Sequence, residues 1–159
     1  MILKIRKNDV NKSIYFLDNT DGQYYINGNK TIIHHHDNLK ELNESNVELF
    51  INNIKQKYTK YFKPLNEGIY KIRLQIYVNI KDISFMFFNC PNIESIDLST
   101  FDTSNITNMN YLFSECSELT NIDLSLLDTR NVNNMAFMFF NCCKLTNLDL
   151  SYFNNVPLL

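Results

Sequence analysis

The residues with the widest chemical reach are three consecutive histidines, His34, His35 and His36, because imidazole is the commonest transition-metal ligand. Adjacent side chains on an extended segment leave by opposite faces, so they do not converge on one ion as i, i+4 histidines on a helix do. The spacing favours a solvated loop or ordinary packing, with a metal site or a pH-sensitive contact as the alternatives. The chain has no other histidine, which removes Ser-His-Asp and Cys-His catalysis unless this cluster supplies the base. Nothing resembles a phosphate loop, a nucleophile elbow or a metal-ligand spacing, so no catalytic residue and no cofactor are expected.

The four cysteines contain no CxxC pair, which argues against zinc. Cys90, Cys116 and Cys142 recur every 26 residues and read as reduced, buried, leucine-like positions; Cys143 breaks that column. Asp97, Asp123 and Asp149 keep the same interval, as do Ser99, Ser125 and Ser151. Their carboxylates are expected in a file on an exposed strand face, where like charges about 5 Å apart repel. Water, hydroxyls and backbone donors offset that repulsion in one reading. A docking surface for a basic or polar partner and a calcium-type site are the others. The candidate partner-binding face is Ser95, Asp97, Ser99, Asn121, Asp123, Ser125, Asn147, Asp149 and Ser151. Asp102 and Asp128, each followed by Thr, read instead as carboxylates bonding backbone amides in a turn.

These residues need a scaffold, and the 26-residue period supplies one. Each unit has a half such as Leu119-x-x-Ile122-x-Leu124-x-x-Leu127, read as a strand, and a half such as Ile106-x-x-Met109-x-x-Leu112-Phe113-x-x-Cys116, read as a short helix or 3₁₀-like turn. Single units cannot bury their apolar sides alone, so about three stacked coils are predicted, with Met86, Leu112 and Met138, and Phe87, Phe113 and Phe139, filling a layer.

The run Leu112-Phe113-Ser-Glu-Cys116-Ser-Glu-Leu119-Thr-Asn-Ile122-Asp123-Leu124-Ser125-Leu-Leu127-Asp128-Thr129-Arg-Asn131-Val132-Asn-Asn134-Met135 resembles the BspA-like leucine-rich repeat proteins, over residues 79–153. The resemblance implies a solenoid used for binding, often as a surface adhesin or interaction module, with no common catalytic residues.

Residues 1–78 lack the repeat and read as a separate β-rich capping domain before repeats at 79–159. Strands are predicted around Leu3 and Ile5, Ser13–Leu17, Val47–Ile51, Tyr58–Phe62 and Ile72–Val78, with loop chemistry over 19–30 and a capping-box helix from Asn38 to near Asn46. That order suits a ubiquitin-like (β-grasp) fold, with a β-sandwich fragment as the competitor. The fold class is therefore α/β: a short leucine-rich-repeat solenoid of strand-turn-helix coils behind a small α+β cap.

With 159 residues, 45% apolar, and 15 Lys and Arg against 17 Asp and Glu, the chain can bury a core but carries no basic field to collect phosphates. Nucleic acid is not an expected partner. No stretch reads as a signal peptide or spanning helix, so a cytoplasmic protein without membrane insertion is expected, surface or extracellular only as part of a longer or unconventionally exported chain. The expected function is a non-catalytic protein-protein interaction or adhesion module using the strand face of the leucine-rich repeats. The alternative is an assembly subunit that dimerises or extends through an apolar edge at Phe153–Leu159.

Overall fold

The computed structural model describes residues 1–17, 24–26, 29–31 and 39–153. Among these residues ten strands form: β1 (Ile2–Ile5), β2 (Ile14–Tyr15), β3 (Tyr24–Ile26), β4 (Asn29–Thr31), β5 (Val47–Ile51), β6 (Ile54–Gln56), β7 (Tyr61–Phe62), β8 (Gly68–Ile76), β9 (Ile93–Ile96) and β10 (Asn121–Ile122). Six of them make one mixed sheet in the order β10-β9-β1-β8-β5-β6. Only β9 and β10 pair in parallel; β1 runs antiparallel to both β8 and β9.

Local chemistry explains the pieces. β8 alternates Ile72, Leu74 and Ile76 inward with Lys71, Arg73 and Gln75 outward, the period-2 signature of a half-covered strand. The β5–β6 hairpin turns on Asn52 and Asn53, both left-handed at φ 50° and 66°, a conformation that asparagine tolerates and that matches strand twist. The Arg73 guanidinium lies 3.7 Å from the centre of the Phe50 ring on the outer face.

The predicted leucine-rich-repeat solenoid of strand-turn-helix coils is not what the chain builds. Among the described residues the one helical element is a 3₁₀ turn at Lys7–Asp9, and the repeats are not closed by helices. Their strands are instead drawn into the mixed sheet, and the third unit, from Leu145 to Leu150, contributes none. The β-grasp cap fails for the same reason. The helix predicted from Asn38 is replaced over the described residues 39–46 by turns in which Asn43 and Asn46 bond nearby main chain, including Asn46 Nδ2 to the Glu41 carbonyl at 2.7 Å. The loop predicted for 19–30 contains strand β3 and part of the β3–β4 hairpin.

In place of helices, each repeat uses a chain of tight turns. Even-numbered amides close locally, as in Leu112 N–H to the Met109 carbonyl and Ser114 N–H to the Tyr111 carbonyl. From 83 to 89 the odd-numbered amides cross to the next coil: Ile83, Phe85, Phe87 and Asn89 donate to the carbonyls of Asn108, Asn110, Leu112 and Ser114 at 2.9–3.1 Å, while Thr107 and Asn133 donate back to the carbonyls of Lys81 and Thr107. Met109, Tyr111, Phe113 and Glu115 repeat this toward Asn134, Ala136, Met138 and Phe140. Phe85, Tyr111 and Phe137, and likewise Asn89, Glu115 and Asn141, take positive φ at every repeat. Three aromatic residues in that region are a real backbone cost, repaid by cross-coil bonds and stacked rings.

The core is continuous. Leu3, Ile5, Ile72, Ile93, Phe113 and Leu119 belong to one cluster of buried side chains spanning both parts of the chain. Asn92 ties them together: its carboxamide donates to the Lys4 carbonyl and to Asp9, both at 3.0 Å.

Candidate recognition face

The nine candidate residues divide by coil. Ser95 lies on β9, paired with Asn121 of β10 and with Ile2; Asp97, Ser99, Asp123 and Ser125 follow those strands and are exposed. Together with Ile96, Leu98, Ile122 and Leu126 they line a shallow depression of about 260 Å³, except that Ser125 stands outside it. Leu126 is 62% exposed at its margin. Asn147, Asp149 and Ser151 are exposed too, but outside the sheet and the depression. The structure thus brings together the first two coils' residues and leaves the third coil's apart.

The carboxylates have a structural task. Asp97, Asp123 and Asp149 each accept the amide of the serine two residues on, at 2.9 Å. This is the Asx turn that reverses the chain after each strand position. Bonds from the serine hydroxyl and then its amide hold all three carboxyls below the ordinary carboxylate value, and at Asp123 the negative Asp97 opposes that shift. The face is therefore ionised at neutral pH, with hydroxyls set beside each charge.

Asp102 and Asp128 make the expected turns to the amides of Ser104 and Arg130. Asp128 also grips the Arg130 guanidinium through both oxygens, which lowers its pKa to about 2. Cys90 and Cys116 are fully buried and Cys142 nearly so. The thiols of Cys116 and Cys142 donate to the carbonyls of Phe87 and Phe113, both 3.1 Å away in the preceding coil. Cys143 is exposed. Among the described residues no three His, Cys, Asp or Glu side chains are grouped to hold a metal ion. His34, His35 and His36, and the chain end beyond Phe153, lie outside the described residues.

Sequence reasoning missed a second feature. Phe85, Tyr111 and Phe137 stack with centroids 4.9 Å apart and planes within 16°, parallel to the inner stack Phe87, Phe113 and Phe139 at 5.4 Å. Its signal is in the sequence, since three aromatic residues share the 26-residue register. Glu118 was also passed over, and it joins Arg6 at 2.6 Å to Lys144 at 2.8 Å across the molecule.

The fold and face define a class: a β protein of turn-built repeats, stacked in register and fused through one sheet to a β-rich unit. The chain belongs to the family described as Mycoplasma protein of unknown function, DUF285, which matches residues 53–157. The match takes in β6 to β10 and all three coils. No curated protein and no solved structure matches the chain. No helix among the described residues is long and apolar enough to cross a membrane.

Proposed function

We propose that this protein is a non-catalytic protein-interaction module whose partner docks on the Ser95, Asp97, Ser99, Asn121 and Asp123 face. The supporting observation is the depression itself, where ionised carboxylates and hydroxyls surround an apolar margin at Leu126. That composition suits a polypeptide with basic or amide side chains around an apolar anchor. The resemblance of residues 79–153 to BspA-like repeats points the same way. Exposed Cys143 beside the buried thiols suits a reducing compartment, so we place the module in the cytoplasm.

The test is affinity capture from native extract with the wild-type chain, Asp123→Asn and Asp123→Lys. Asparagine keeps the Asx turn and removes the charge, whereas lysine reverses it. The proposal requires partner recovery to fall stepwise, wild type above Asn above Lys, with folding intact by circular dichroism. Unchanged recovery with Asp123→Lys rejects the face.

A second reading, an assembly subunit growing through the third coil, is favoured by Phe137, Phe140 and Tyr152, which are 49%, 43% and 48% exposed there. Molecular mass by size exclusion across concentration separates the two: a stable dimer supports assembly, a persistent monomer the capped module.

A further inference from the structure

Strand β6 is one margin of the six-stranded sheet, and among the described residues it pairs only with β5. Ile51 and Ile54 flank the two-residue turn and form the bonded pair that closes it, so Phe50 and Lys55 follow as a non-bonded pair. Phe50 turns its main-chain groups to Arg73 of β8. The Lys55 N–H and carbonyl point the other way, out of the sheet, and no main-chain bond reaches Lys55 or Lys57 among the described residues. Such an edge is a template for a further strand.

Lysines commonly guard an edge of this kind. Here they are drawn back from it, Lys55 to Glu48 at 2.5 Å and Lys57 to Glu44 at 3.1 Å. Both pairs are exposed and individually weak, so a competing carboxylate can exchange into them. Residues 49–66 carry Lys55, Lys57, Lys60 and Lys63 and no acidic residue, and Arg73 lies above the Phe50 ring on the face that Lys55 shares. On the opposite face of β6, Ile54 is 65% exposed. The edge thus offers cations on one face, an apolar side chain on the other and free main chain between them.

We propose that β6 accepts one further antiparallel strand from a partner protein, an extended segment in which acidic residues alternate with apolar ones. An acidic residue opposite Lys55 exchanges both main-chain bonds with it and sets its carboxylate among Lys55, Lys57 and Arg73, while the adjacent apolar residues cover Ile54. Charge selects this occupant. A two-fold copy of β6 would set Lys55 and Lys57 against their own duplicates, and the file Asp97, Asp123 and Asp149 of another copy is held in Asx turns, not in an extended segment. The site lies at the opposite margin of the sheet from β10 and goes beyond both functional readings.

The experiment is a titration of the isotope-labelled chain with a short blocked peptide alternating Glu and Val, followed by nuclear magnetic resonance. The proposal predicts saturable movement of the Ile54, Lys55 and Gln56 signals and slower exchange of the Lys55 amide. Methylating the main-chain nitrogens of the Glu residues should abolish binding, and methylating those of the Val residues, which face away, should not. Lys55→Pro removes the outward donor while sparing the bonded pairs of the hairpin, as an edge strand tolerates, and should abolish binding too. Lys55→Ala with Lys57→Ala should weaken it about three- to tenfold, the worth of two exposed ion pairs. Asp123→Lys should leave it unchanged, which separates this edge from the carboxylate face. Unmoved signals at millimolar peptide overturn the proposal. So do equal binding by a Lys–Val peptide, equal binding by the Glu-methylated peptide, and shifts confined to β9 and β10.

Discussion

Cys116 shows how a single atom serves two layers. Its thiol is sealed in the core, yet donates to the carbonyl of Phe87 one coil back, so burial and stacking depend on the same sulfur. Burial pushes the Cys116 and Cys142 thiols up, Cys142 from its ordinary 9.0 to about 12. A folded-state pKa above the unfolded one stabilises fully below about pH 9, and that stability is lost as pH rises toward 12. Urea midpoints should therefore fall between pH 8 and pH 11, and less steeply in a Cys116→Ala/Cys142→Ala variant; parallel falls contradict the assignment. In native protein at pH 8, a thiol reagent should titrate Cys143 alone. Ser114 makes the opposite case. Its hydroxyl is fully buried without a hydrogen-bond partner among the described residues, where the other coils carry Phe88 and Phe140. Ser114→Ala should be neutral or stabilising by up to about 1 kcal/mol in urea unfolding, because a desolvated, unpaired group is removed; a loss above that would mean the hydroxyl is bonded.

At the scale of elements, the inward columns were legible and the helices were not. Apolar spacing at Ile106, Met109, Leu112 and Phe113 fits one face of a helix, but it fits a series of three-residue turns as well. Aspartate and asparagine side chains decide between them. Asp82, Asn108 and Asn134 each bond the amide two residues on, at 2.8–3.1 Å, and so claim main-chain donors that a helix would need. A run of about ten residues is also too short to nucleate a helix on propensity alone. The short strand half was drawn correctly around Ile93 and Ile96, yet its partner β1 lies far away in sequence, a pairing no local pattern announces. The nine candidate residues were picked by register, and the turn role of their aspartates depends on backbone geometry that the register does not carry. Thr103 tests the turns. Its hydroxyl, buried with the residue 2% exposed, accepts the Asp128 amide at 2.7 Å. Thr103→Val should cost about 1–3 kcal/mol by stranding that amide, measured by chemical denaturation; a smaller effect would show that water replaces the hydroxyl.

Across the whole molecule, β1 is the clamp. It lies between β8 and β9, so the β-rich unit and the repeats share main-chain bonds as well as core. Leu3 sits on that strand and is fully buried. Leu3→Ala should cost about 2–5 kcal/mol and lower the stability of both parts together. Unfolding followed through amides of β5 and of Phe113 should give one shared midpoint; two separated transitions would show that the parts fold independently.

The most direct measurement is residue-resolved amide exchange in the free chain. Stacked turns joined coil to coil by main-chain bonds predict slow exchange at Met109, Tyr111, Phe113 and Glu115, comparable to Leu3 in β1, and fast exchange at Phe137, Phe139 and Asn141, whose amides have no acceptor among the described residues. Equal protection of the third coil's amides, or protection that decays along 105–116 as in a fraying helix, would contradict it.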